Sequence, residues 1–114
     1  MIKLLTLLLL SPMAHSAEKD VNKLWCASMN GDYEFRTKDG TYVDCIIEEF
    51  AVEAEYDYKW KEAIGQSLHY AETTNKKAAI LFIKRSGSNK DYLSELNRVI
   101  TKFKLPILVF TTEE

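Results

Sequence analysis

Tyr42-Val43-Asp44-Cys45-Ile46-Ile47-Glu48-Glu49-Phe50-Ala51-Val52-Glu53-Ala54-Glu55-Tyr56-Asp57 holds two strand-like runs on either side of Glu48-Glu49. Thr41 to Ile47 is rich in aromatic and β-branched residues, which suits a strand. After Glu48-Glu49, Phe50, Val52, Ala54 and Tyr56 alternate with Ala51, Glu53, Glu55 and Asp57, the two-residue period of a second strand. An even, symmetric turn centred on Glu48-Glu49 pairs Ile47 with Phe50, Cys45 with Val52, and Asp44 with Glu53. Directly opposed side chains lie about 5 Å apart, and Glu55 is a diagonal neighbour on the same face. Like charges so placed are destabilising unless a cation, a proton or solvent relieves them. Asp44, Glu53 and Glu55 are hard oxygen ligands that suit Mg²⁺ or Mn²⁺. The plain alternative is a hairpin edge kept soluble by its charge.

Upstream, Tyr33 to Thr37 reads as another strand, joined to Thr41 by the turn signal Lys38-Asp39-Gly40. A two-residue turn there sets Phe35 opposite Asp44, whereas a three-residue loop sets Glu34 there. Before it, Val21, Leu24 and Trp25 recur at helical spacing, and Asn30-Gly31 ends that helix. Downstream, Asp57 can cap a helix running to about Asn75. Ala78 to Ile83 is a continuous apolar run typical of a strand covered on both faces, read as the sheet centre. Ser88 with Asp91 resembles a capping box before a helix whose stripe is Tyr92, Leu96, Val99, Ile100 and Phe103. Pro106 opens a last strand through Phe110. The predicted order is αβββαβαβ, an α/β fold with a mixed sheet flanked by helices.

On the helix after Asp57, about 100° per residue places Lys59, Glu62, Gln66 and Tyr70 within an arc of about 80°. Trp60, Ala63, Ile64, Ser67, Leu68 and Ala71 form the adjoining arc, so the polar stripe borders the buried face and can line a cleft beside the acidic strands.

Asp44 in Tyr42-Val43-Asp44-Cys45, then Glu53-Ala54-Glu55 on the next strand, then Gln66-Ser67-Leu68-His69-Tyr70 on the following helix resembles the core of the PD-(D/E)xK nuclease superfamily. The match includes the QxxxY extension of its RecB-like branch, and Glu18 to Ile83 follows the family's αβββαβ order. The resemblance implies a restriction-endonuclease-like core, with Asp44 and Glu53 as metal ligands and Gln66 and Tyr70 contacting substrate or supporting the site. It implies metal-dependent phosphodiester hydrolysis. The chain departs from the family at Glu55, which stands where the family lysine stands, and at Val43 in place of the usual proline. Lys59, in the first turn of the helix, can supply the missing charge from a displaced position.

The start of the chain reads as an export signal: Lys3, an apolar run from Leu4 to Leu10, then Ser11-Pro12 and small residues at Ala14, Ser16 and Ala17. The run is shorter than the roughly 20 residues a membrane helix needs, so cleavage is expected, leaving no membrane anchor. Residues 1–17 are the predicted signal and 18–114 one domain, exported to a periplasm or to the medium. Cys26 and Cys45 are then an even pair in an oxidising setting and are expected to form a structural disulfide. Without Lys3, the 15 basic residues become 14 against 17 acidic. That balance argues against a general nucleic-acid coat. The charge is uneven, because 18–57 holds 4 basic and 11 acidic residues whereas 59–114 holds 10 and 6. An acidic half facing a basic half can hold a cation beside an anionic substrate.

His69 has no second His or Cys at ligand spacing and reads as a surface or packing residue. Lys76, Lys77, Lys84 and Arg85 flank the apolar strand and suit phosphates or solvent equally. No nucleophilic triad, phosphate-cradling glycine loop or organic cofactor motif is present. The reading is therefore an exported Mg²⁺- or Mn²⁺-dependent phosphodiesterase acting on nucleic acid, with Lys59, Gln66 and Tyr70 supporting catalysis and a homodimer expected for gripping a duplex. The alternative is a catalytically silent module on the same fold that binds an exported protein.

Overall fold

A computed structural model describes residues 17–114. The predicted export signal lies outside the described residues, apart from Ala17. Along the chain run helix α1 (Ala17–Ser28), strands β1 (Asp32–Arg36), β2 (Tyr42–Ile47) and β3 (Phe50–Tyr56), a 3₁₀ turn (Asp57–Lys59), helix α2 (Trp60–Thr74), strand β4 (Lys77–Lys84), helix α3 (Tyr92–Phe103) and strand β5 (Ile107–Glu113). This is the αβββαβαβ order predicted from the sequence. The strands form one mixed sheet in the order β1-β2-β3-β4-β5, antiparallel through β3 and parallel from β3 to β5. β3 is therefore the middle strand, not β4. The apolar run of β4 records something else: six consecutive residues, Ala78 to Ile83, are buried because helices cover both of its faces.

Strand alternation divides the core into two layers. On one face, Val52, Ala54, Ala79, Leu81 and Ile83 pack against the Cys26–Cys45 disulfide and, from α1, Val21 and Trp25. On the other, Ala78, Ile80, Phe82 and Ile107 meet Trp60 and Ala63 of α2 and Leu96 of α3. A third group, Val43, Ile46, Ala51 and Tyr70, continues that face under the end of α2.

The disulfide joins α1 to β2 with Cα atoms 5.9 Å apart, closing a loop of 19 residues. Such a loop contributes about 3 kcal/mol through the unfolded chain. A Cβ at Gly31 would stand 2.6 Å from Cys45 Sγ and 2.8 Å from Cys26 Sγ, so this residue must be glycine for helix and strand to close on each other.

Two helix starts differ from the sequence reading. Asp57 does not cap α2; it lies buried in the preceding 3₁₀ turn, where its carboxylate accepts the Tyr58 amide and Arg85 Nε. Asp91 itself caps α3 by accepting the Ser94 amide, leaving Ser88 in the loop before it. The cap position thus falls two residues beyond Asp57, at Lys59, and three beyond Ser88, at Asp91. Asn75, at φ 55°, ends α2 as expected.

Candidate functional site

The site begins where the sheet forks. β2 and β3 pair at Ile47↔Phe50, Ile46↔Ala51 and Cys45↔Val52, the register predicted by counting from Glu48-Glu49. The ladder stops there, one pair short of Asp44 and Glu53. In place of a backbone partner, the Ala54 amide donates to Asp44 Oδ2 at 2.8 Å. On its other side β1 pairs with β2 at Tyr33↔Cys45 and Phe35↔Val43, which puts Glu34 at the level of Asp44. The three-residue loop is thus the one adopted. Glu34 has φ 51°, an uncommon conformation inside a strand, and makes no ladder pair with Asp44. It is exposed.

Helix α1 lies against this fork. Asn22 Nδ2 donates to the Asp44 carbonyl at 3.1 Å, and one turn earlier Glu18 reaches Glu55. Neither residue was singled out from the sequence. The available signal was their spacing: Glu18, Asn22 and Cys26 recur every fourth residue, so one stripe of α1 faces the strand that carries Cys45 and Asp44.

Glu53 is the centre of the cluster. It is 2% exposed, and its Oε2 makes no hydrogen bond within the protein; Asn22 Oδ1 is the other such buried side-chain atom among the described residues. Burial pushes the Glu53 carboxyl up to about 11, with the adjoining Asp44, Glu55 and Glu18 adding to the rise. Burial, then Glu18, raises Glu55 to about 7. The repulsion foreseen from the strand register is therefore relieved here by protons. Glu55 in turn holds the Lys59 ammonium above its ordinary value, which places Lys59 beside the acidic group from the end of the 3₁₀ turn.

Helix α2 closes the site from above the sheet. Tyr70 is buried, and its hydroxyl donates to Gln66 Oε1 at 3.4 Å. Burial raises the phenol, and Glu53, Asp44 and Glu55 raise it further, so it stays a neutral donor facing the carboxylates. Asp44, Glu53, Glu55, Lys59, Gln66 and Tyr70 thus meet in one region, with Glu18 and Asn22 joining them. His69 points elsewhere, its Nε2 lying 3.4 Å from Asp39 Oδ2 in the β1–β2 hairpin.

The donor set is one of hard oxygens, and the unbonded Glu53 Oε2 is the atom a cation would satisfy. As these side chains stand, however, no three of the His, Cys, Asp and Glu groups among the described residues form a ready ligand cage. The expected convergence of three carboxylates on one point is corrected accordingly: Asp44 is committed to Ala54, and Glu55 leans to Glu18.

No protein-family model matches the chain, and no solved structure matches it. The chain is similar to two KilA-N domain-containing proteins of Acanthamoeba polyphaga mimivirus. One is 29% identical over 93 residues, 82% of this chain and 37% of that protein. The other is 30% identical over 91 residues, 80% of this chain and 24% of that protein. The chain therefore spans between a quarter and two fifths of the length of these relatives. Among the described residues no helix is long and apolar enough to cross a membrane.

Proposed function

We propose that this chain is a metal-dependent phosphodiesterase acting on nucleic acid, built on the PD-(D/E)xK plan and working in an oxidising compartment. The observation that carries the reading is Glu53, a carboxyl buried at 2% exposure with an unbonded oxygen, beside Asp44 at a fork in the sheet. Burying a carboxyl oxygen with no hydrogen-bond partner costs stability, a cost that a structural role does not require. Asp44, Glu53 and Glu55 are the residues that would hold Mg²⁺ or Mn²⁺, which when bound supplies polarisation of a phosphodiester and an activated water.

The chain's own groups have separate tasks. Lys59, next to Glu55, stabilises negative charge developing on the phosphate. Gln66 accepts the Tyr70 hydroxyl, and the pair borders the carboxylates from α2. The disulfide fits an exported protein.

One observation favours the second reading, a silent binding module. Glu55 occupies the family lysine position and bonds with Glu18, so this side chain shares a proton where the family has a cation. A nuclease assay on oxidised protein with millimolar Mn²⁺ separates the two. Cleavage that falls sharply in Asp44→Asn and in Lys59→Ala supports the enzyme; absence of cleavage in wild type, with no Mn²⁺-dependent thermal stabilisation, leaves the binding module.

A further inference from the structure

The two outer strands of the sheet are built differently. β1, at one edge, is five residues long, carries the charged side chains of Asp32, Glu34 and Arg36, and is distorted at Glu34, where φ is 51°. Shortness, charge and distortion are the devices by which proteins keep an open sheet edge from pairing with another chain. β5, at the other edge, has none of them before its last residue. Its run Ile107-Leu108-Val109-Phe110-Thr111-Thr112-Glu113 is seven residues long, apolar or β-branched as far as Thr112, and free of proline, glycine and positive φ. β4 takes up one side of its backbone, from Ala78↔Ile107 to Lys84↔Glu113, and no other strand of the described residues lies on the far side.

The side chains beside that edge suit a second protein chain. Leu108 is 44% exposed. On the same face of β5, Phe110 packs against Trp25 and Phe50, with ring centroids 5.1 Å and 6.1 Å away, so it is held inward and does not fold over the edge. The two ends of the strand are oppositely charged. Lys102 and Lys104, both exposed, precede Ile107, and the exposed Glu113 closes the strand. Among the described residues none of the three enters an ion pair. These charges choose between the two symmetric ways a second copy can add its own β5 to this edge. Parallel pairing sets lysines against lysines and Glu113 against Glu113. Antiparallel pairing, about a two-fold axis perpendicular to the sheet, sets the lysine end of each copy against the Glu113 end of the other, and opposite charges facing each other on adjoining strands are stabilising.

We propose that β5 is a homodimer interface, in which two copies of this chain pair their β5 strands antiparallel and join their sheets into one, with Lys102 and Lys104 of each copy meeting Glu113 of the other. The open backbone edge supplies the ladder of hydrogen bonds, and Leu108 supplies apolar contact beside it. The inference does not rest on the phosphodiesterase reading. β3 stands two strands in from β5, so the interface lies away from Asp44 and Glu53.

The experiment is sedimentation velocity of the oxidised full chain over a concentration series, with circular dichroism of each variant to establish that it is folded. Wild type should sediment as a dimer. Leu108→Lys puts a charge at an exposed position beside the edge and should leave a folded monomer. Lys104→Glu and Glu113→Lys each set like charges together at both ends of a two-fold interface, so each should weaken the dimer about tenfold or more. The two reversals combined in one chain restore opposite charges and should restore the dimer. A wild type that stays monomeric throughout the series overturns the proposal, whether its β5 amides exchange freely or are protected by another segment of the chain. A dimer that folded Leu108→Lys leaves intact overturns it as well, as does a double reversal that is as weak as either single one.

Discussion

Asp44 accepts the Ala54 amide on its side chain at 2.8 Å, so a carboxylate takes the place a backbone carbonyl would hold if β2 and β3 stayed paired. This one contact lets the sheet open without orphaning an amide. Stability and chemistry at Asp44 should therefore separate. Asp44→Asn keeps an acceptor for Ala54 and should unfold within about 1 kcal/mol of wild type, whereas Asp44→Ala strands a buried amide and should cost about 1–3 kcal/mol. Both should lose Mn²⁺-dependent cleavage. Urea denaturation and a nuclease assay check this; equal stability of the two variants would deny the Asp44 side chain its structural task.

Glu53 predicts the opposite sign. Its carboxyl has a raised pKa in the fold, so its contribution favours folding only while both states are protonated, below about pH 4.3, and becomes a penalty as pH rises toward the folded value of about 11. Glu53→Gln removes that penalty. It should match wild type near pH 4 and exceed it by up to about 4 kcal/mol near pH 7 in the absence of metal. With millimolar Mn²⁺ the ranking should narrow or reverse, since only wild type gains from the ion. Thermal melts across pH, with and without Mn²⁺, check both halves; a metal shift of equal size in wild type and Glu53→Gln would remove Glu53 from any metal site.

The register that brings Asp44 level with Glu53 was legible because it follows from counting outward from one two-residue turn and from strand alternation, both local rules. So was the place of Gln66 and Tyr70 over the fork, which follows from helix period. The stopping of the ladder was not legible, because Asp44 and a carbonyl compete for the same Ala54 amide and only packing decides between them. Asp57 shows the same limit. An Asp before a helix reads as a cap, yet Arg85, 28 residues away, draws it into the interior. Glu18 and Asn22 were missed because their role depends on where α1 docks; the Cys26–Cys45 bridge, already expected, fixes that docking.

The same bridge gives the next prediction. Cys26 and Cys45 hold α1 to β2, and one turn away on α1 Asn22 reaches the carbonyl of Asp44. Replacing both cysteines by serine should lower stability by about 2–4 kcal/mol. It should also loosen the fork itself. Amide exchange at Ala54, whose proton rests on Asp44, should rise more than exchange at Leu81 in the sheet interior, and cleavage should fall at a temperature where the variant is still folded. Uniform acceleration across the sheet would mean that the bridge stabilises the whole fold without positioning α1 over the site.

Asp57 supplies the acid limb of stability. Burial alone would raise its carboxyl, but hydrogen bonds from Ser88, Arg85 and the Tyr58 amide outweigh that, and the net shift is downward. A lowered folded pKa means stability that is fully present above the unfolded value of about 3.9 and is lost as pH falls through the folded value. Asp57→Asn should therefore cost about 1–3 kcal/mol at neutral pH, the worth of hydrogen bonds to a charged group, and the gap to wild type should close below about pH 4. Because Arg85 is 39% exposed, water can solvate its charge when Asp57 is neutralised, which keeps the loss below that of a fully buried pair. Denaturation at pH 3.5 and pH 7 checks this expectation, and a wild-type-to-variant gap that is the same at both would show that Asp57 is not the group whose protonation weakens the fold.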